Sequence, residues 1–142
     1  MLNKWDIRFS GLANTVATWS KDPDSQVGAV IVSPDRRSIT VGYNGFPTRI
    51  KDTDERLKNK EIKRSLTIHA EMNALLNADV NVQGSTMYIT KAPCTKCALA
   101  IIQARISTLV IPKLDMSSSW FKEQDCALVL LHEAQINIKW ID

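Results

Sequence analysis

Apolar residues at Trp5, Phe9, Leu12, Ala13, Val16 and Trp19 recur at the spacing of one helix face, which predicts an amphipathic helix over 4–20. The period then changes. VGAVIVS (27–33) is a continuous apolar run of strand length, PDRR (34–37) is a turn, and SITVGY (38–43) is the partner strand of a hairpin. Asn-Gly and a nearby proline in YNGFP (43–47) end regular structure. From residue 69 the pattern alternates. HAEMNALLNA reads as a helix, STMYIT (85–90) as a strand, CTKCALAIIQA (94–104) as a helix and TLVIPK (108–113) as a strand. WFKEQDCALVLLHEAQ (120–135) is a helix with Ser117–Ser119 as candidate caps, and INIKWI (136–141) is a last strand. Strands alternating with helices of this length predict an α/β layer structure with crossover connections and a largely parallel half-sheet.

TRIKDTDERLKNKEIKRSL (48–66) is the most polar segment, with seven basic and four acidic residues. It reads as an exposed loop or short helix with a mixed-charge face, or as a lid over an anionic ligand.

Length and charge narrow the class. A chain of 142 residues, 44% hydrophobic and 23% charged, is expected to form one globular domain with a real core. A net charge of +3 favours small anions slightly and falls short of the basic balance expected of a nucleic-acid binder. Lys4, Asp6 and Arg8 leave the N-terminus without an apolar signal core, and no apolar run approaches membrane-spanning length. Three cysteines, two of them in one C-x-x-C, suit a reduced, cytoplasmic setting in which thiols serve metal or redox chemistry.

His69 is one of only two histidines, set in the apolar run LTIHAEMNALL with Glu71 two positions later. Cys94 and Cys97 of PCTKC stand three apart at the start of a predicted helix, so both sulfurs reach one side of its first turn. Free N–H groups there favour thiolate. Two thiolates and an imidazole suit Zn²⁺ and leave a fourth tetrahedral position open, as catalytic sites do. A redox pair needs no upstream His-x-Glu, and a structural zinc site would need a second C-x-x-C. Cys126 and His132, about 240° apart on a helix, share no face; Cys126 reads as a buried thiol and His132 as an ordinary helix residue. Zinc lowers the pKa of its water towards ~7, and Glu71, beside the metal without binding it, is the natural proton carrier. H-x-E…P-C-x-x-C is the signature of zinc nucleobase deaminases.

SKDPDSQVGAVIV (20–32), GYNGFP (42–47), HAEMNALLNA (69–78), MYIT (87–90) and PCTKCALAIIQA (93–104), in this order, resemble the deoxycytidylate (dCMP) deaminase family over about residues 20–112. The resemblance implies a three-layer α/β/α cytidine deaminase-like fold with a five-stranded mixed sheet. It implies hydrolysis of dCMP to dUMP and ammonia, which supplies dTMP synthesis. It assigns His69, Cys94 and Cys97 to one zinc per chain and Glu71 to proton transfer. It places Asn44 on the deoxyribose 3′-hydroxyl, the Ala70 N–H on the pyrimidine O2, Ser25 and Gln26 near the nucleotide, and Trp120 as a candidate pocket wall or core anchor. Many members are homohexamers switched on by dCTP and off by dTTP. The matching regulatory region here holds Gly42, Tyr43, Gly45, Phe46, Pro47, Asp52 and Asp54, with Mg²⁺ a possible companion of the triphosphate. The chain departs from the family at Arg105, where relatives have glycine after the helix, so the turn is expected to be made another way.

Other readings share part of the motif: a tRNA adenosine deaminase, a single-strand editing enzyme, a deaminase of free cytidine or of dCTP, and a non-catalytic zinc scaffold. The 24-residue gap from Gly45 to His69, the HAEMNA block and the small basic surplus count against the nucleic-acid enzymes. The presence of Glu71 counts against the scaffold.

Overall fold

Asn3 starts the first helix, α1 (Lys4–Ala17): its side chain accepts from the Trp5 and Asp6 amides while the Asp6 carboxylate accepts from the Asn3 amide. This reciprocal cap satisfies donors that a helix start leaves free. In the computed structural model, which describes residues 1–142, α1 stops one turn short of the predicted end. The chain there turns inward, and the buried Ser20 hydroxyl donates to the Asn44 carbonyl.

The hairpin of β1 (Gly28–Val32) and β2 (Ile39–Tyr43) follows, then the short helices α2 (Asp54–Lys58) and α3 (Lys60–Leu66). α4 (Ala70–Asn77), β3 (Thr86–Ile89), α5 (Thr95–Gln103), β4 (Thr108–Pro112), α6 (Phe121–Glu133) and β5 (Asn137–Ile141) complete the chain. The sheet order is β2-β1-β3-β4-β5. β1 runs antiparallel to both neighbours, while β3, β4 and β5 are parallel. The expected mixed five-stranded sheet with a parallel half is therefore present.

Side-chain alternation along the strands builds two cores. Val30, Val32, Tyr88 and Val110 meet Phe9, Ala13 and Val16 of α1 on one face. Ala29, Ile31, Met87, Ile89, Leu109 and Ile111 meet α4, α5 and α6 on the other through Ala70, Ala74, Ala98, Ile101, Ala127 and Leu131. Small residues recur where a helix lies flat on the sheet. A Cβ on Gly28 would stand 2.2 Å from the Ala13 carbonyl oxygen, so glycine there allows α1 to seat against β1. No helix is long and apolar enough to cross a membrane.

Three local expectations are corrected. Cys126 is exposed on α6, because the buried stripe of that helix is Gln124, Ala127 and Leu131. Ser117–Ser119 do not cap α6: its N-cap is Trp120, which makes no side-chain cap bond, and the Ser118 hydroxyl accepts from the Trp120 amide within the preceding turn. Arg105 makes the turn after α5 itself, at φ 63°, with its amide donating to the Ile102 carbonyl and the Ile106 amide to the Ile101 carbonyl. That is the paired-bond helix ending usually supplied by glycine.

Candidate active site

The site forms where β2 and β3 end and β1 begins. Pairing of Gly28 with Tyr43 and of Ala29 with Ile89 brings Val27, Asn44 and Thr90 to one edge of the sheet. The Gly28 amide donates to the Thr90 hydroxyl and the Thr90 amide to the Gly28 carbonyl, which fixes the exit of β3. Ligand sites gather at such strand ends, where the helices on the face leave a crevice.

Two helices start at this crevice. His69 is the N-cap of α4 and Cys94 the N-cap of α5, and neither helix has a side-chain cap bond. Their first amides and the positive ends of their dipoles therefore face the site. α4 is held by its own sequence: Asn73 donates to the Tyr43 carbonyl at 2.8 Å and Asn77 to the Val41 carbonyl at 3.1 Å, both on the edge strand β2. The Gly45–Ile68 bridge ties the turn after β2 to the residue just before His69.

The ligand atoms of His69, Cys94 and Cys97 all lie within 4.8 Å of one another. His69 Nδ1 stands 3.5 Å from the Cys94 sulfur and 3.3 Å from that of Cys97. A tetrahedral zinc with bonds of about 2.3 Å to sulfur and about 2.1 Å to nitrogen requires a sulfur–nitrogen separation of about 3.6 Å. The trio therefore fits zinc in spacing as well as in ligand type. A hydrogen bond from Cys97 pulls the Cys94 thiol down to about 4, against the effect of burial and helped by His69 and the Cys97 amide. That thiolate in turn raises His69 above its ordinary value.

Glu71, in the first turn of α4, is buried against this group. Burial pushes its carboxyl up to about 6, and the Cys94 thiolate adds to the rise. A carboxyl balanced near neutrality can both take up and give back a proton.

The cavity over these residues has a volume of about 340 Å³ and includes Ser25, Asn44, Ala70, Glu71 and Trp120 in its lining. The Trp120 ring stands edge-on to His69 with centroids 6.2 Å apart. Asn44 is buried; its amide donates to the Ser25 carbonyl and its oxygen accepts from the Val27 amide, which leaves one N–H and one lone pair free. Gln26 faces away from this cavity and donates to the Ser20 carbonyl.

The polar segment 48–66 forms the two short helices α2 and α3, and α3 contributes Lys60, Lys63 and Arg64 to the lining. Lys63 is buried and donates to both Asp22 and Asp24, and Asp22 also accepts from the Asp24 and Ser25 amides. This network stitches α3 to the loop that carries Ser25. Lys63, Asp22, Lys91 and Gln124 were not singled out as site residues from sequence. Lys91, a charge between an apolar strand and PCTKC, carried a weak signal; buried Gln124, which donates to the Ala92 carbonyl, stands in the polar run Lys122–Asp125 and carried none.

The expected regulatory residues are dispersed. Gly42 is buried beneath α4, Tyr43 packs edge-on against Trp19, and Gly45 forms the bridge to Ile68. Phe46 is half-buried and Pro47 exposed. Asp52 pairs with Lys21 at 3.1 Å and, with Asp54, lines a second cavity on the far side of the 20–26 loop.

A family model described as the cytidine and deoxycytidylate deaminase zinc-binding region matches residues 3–113. The "uncharacterized deaminase in luxG 3′ region" of Aliivibrio fischeri is 39% identical over 99% of this chain and 96% of its own length. The deoxycytidylate deaminase of Homo sapiens is 38% identical over 75% of this chain, which spans 64% of that protein. The dCMP deaminase of cyanophage S-TIM5, solved in complex with dCMP and dUMP, shares the fold with a TM-score of 0.80 at 20% identity, covering 99% of each chain. The zinc-fitting trio, the buried Glu71 and a family match that includes all four of these residues lead to one conclusion: this chain belongs to the cytidine and deoxycytidylate deaminase family.

Proposed function

We propose that this protein hydrolyses dCMP to dUMP and ammonia with one zinc per chain, supplying dUMP for dTMP synthesis in the cytoplasm. The observation that carries the reading is the buried Glu71 in one cavity with His69 and Cys94, whose ligand atoms lie within 4.8 Å of that of Cys97. Bound zinc supplies an activated water, acidified towards a pKa of about 7. Hydrolysis at C4 of cytosine takes both protons from the attacking water, one delivered to N3 and the other to the departing amine, while the oxygen stays on C4. Glu71 carries these protons at its carboxylate. Ala70, first residue of α4, has no acceptor for its N–H within the helix and donates it to the pyrimidine O2. Asn44 offers its free N–H or lone pair to the deoxyribose 3′-hydroxyl, and Trp120 forms the wall over the ring. Ser25 and Gln26 hold the loop beside the nucleotide. The test is ammonia release over a panel of cytosine nucleosides, monophosphates and triphosphates. The highest kcat/KM is expected for dCMP; a higher value for cytidine or dCTP overturns the substrate, and no release from any member overturns the reaction.

Regulation by dCTP and dTTP, with Mg²⁺ accompanying the triphosphate, and assembly into a homohexamer complete the proposal. Its support is the resemblance in the region 42–54 and the carboxylates of Asp52 and Asp54 beside the second cavity. A sigmoidal response to dCMP that dCTP makes hyperbolic is expected, as is a hexamer by light scattering. A hyperbola indifferent to both triphosphates overturns the regulation.

A further inference from the structure

Four cationic side chains line the main cavity besides His69: Lys60, Lys63, Arg64 and Lys91. Lys63 is neutralised by Asp22 and Asp24. The other three have no carboxylate within ion-pair distance anywhere in the chain. Among them Lys91 is distinct. Lys60 and Arg64 are exposed on α3, whereas Lys91 is half-buried in the tight connection between β3 and α5, three residues before the ligand Cys94. Its ammonium donates to the Ser25 hydroxyl at 3.1 Å. Ser25 is itself fixed, since its amide donates to Asp22 and its carbonyl accepts from Asn44.

An ammonium withdrawn from bulk water needs charge compensation, and a serine hydroxyl supplies only one neutral acceptor. The remaining donors of Lys91 open into a cavity whose one nearby carboxylate without a cationic partner, Glu71, is engaged in proton transfer. We propose that Lys91 is a specificity-determining residue that binds the phosphate of the substrate, with Lys60 and Arg64 meeting the same group from α3. The inference rests on the dCMP reading and deepens it: the cavity selects a monoanionic or dianionic nucleotide over the uncharged nucleoside. Lys91 follows the exit of β3, where the Gly28 and Thr90 bonds fix the backbone, so it sets where the phosphate sits.

The experiment compares dCMP with deoxycytidine on the zinc-loaded protein and its Lys91→Met and Lys91→Arg variants. The wild type is expected to prefer dCMP. Lys91→Met is expected to lower kcat/KM for dCMP about 10- to 100-fold, chiefly through KM, and to reduce the preference over deoxycytidine by a similar factor, as loss of a hydrogen bond to a charged group does. Lys91→Arg restores most of that preference. An equal loss on both substrates, or none on dCMP, overturns the role of Lys91. Calorimetric binding of dUMP and deoxyuridine to the same proteins separates the two levels. Lys91-dependent preference for dUMP in a protein that does not turn over dCMP overturns the reaction and upholds the phosphate site. Binding of dUMP indifferent to Lys91 overturns the site.

Discussion

A Cβ atom placed on Gly42 would lie 2.3 Å from the backbone nitrogen of Ala74 and 2.5 Å from the Ala70 carbonyl oxygen. Gly42 of β2 is thus the surface on which the backbone of α4 rests, and α4 presents Glu71 and the end of its dipole to the site. Gly42→Ala must push the helix outward, since backbone on both sides cannot yield. A loss of about 1–3 kcal/mol in urea unfolding is expected, together with weaker zinc retention. Unchanged stability and zinc content contradict this account of α4.

Glu71→Gln keeps the size of the side chain and removes its capacity to carry protons. Turnover is expected to fall by about two to four orders of magnitude while one zinc per chain and nucleotide binding persist. Zinc analysis, dUMP titration and single-turnover kinetics check the three parts. Chelating the zinc instead is expected to abolish turnover and lower Tm, and re-addition to restore both.

Asp6 links α1 to the far strand. Its carboxylate accepts from Tyr88 at 3.0 Å, Lys139 at 3.1 Å and the Asn3 amide at 3.0 Å. Burial works to raise its pKa, and these bonds outweigh it, so the group sits below the ordinary 3.8. A depressed carboxylate contributes stability that is present above the unfolded-state value and disappears as pH falls through the folded one. The wild type should therefore lose stability on acidification below about pH 4 more steeply than Asp6→Asn. At neutral pH the variant should be less stable by about 1–3 kcal/mol, measured by urea midpoints across pH. Parallel curves for the two proteins contradict the assignment.

Arg105 and Gln135 end α5 and α6 in the left-handed region, at φ 63° and 61°. A side chain with a Cβ is disfavoured there by about 1 kcal/mol, and glycine is not. Arg105→Gly and Gln135→Gly should each raise stability by about 0.5–1 kcal/mol, with additive shifts in Tm because the sites end different helices.

Much of the fold could be read locally. The hairpin, the alternating second half and the mixed sheet follow from apolar runs and periods that each window of sequence carries in full. The errors fell where a side chain's environment depends on distant residues. Cys126 looked buried because cysteine is usually inside, yet α6 turns Gln124, Ala127 and Leu131 to the sheet. With Arg105 in place of the family's glycine the turn after α5 was expected to be made another way, yet two backbone bonds hold the arginine in the same left-handed conformation.

The sequence by itself determined the chemistry of the site: which residues could hold a metal, which carboxyl lies beside them, and that each group stands at a helix start, because ligand type and short spacing are local properties. The tertiary structure alone decided which cations face that chemistry. Lys91 meets Ser25 across 66 residues and Lys63 meets Asp22 across 41, separations that no periodicity encodes. They close only when β1 inserts between β2 and β3, and that strand order brings three distant loops to one edge of the sheet.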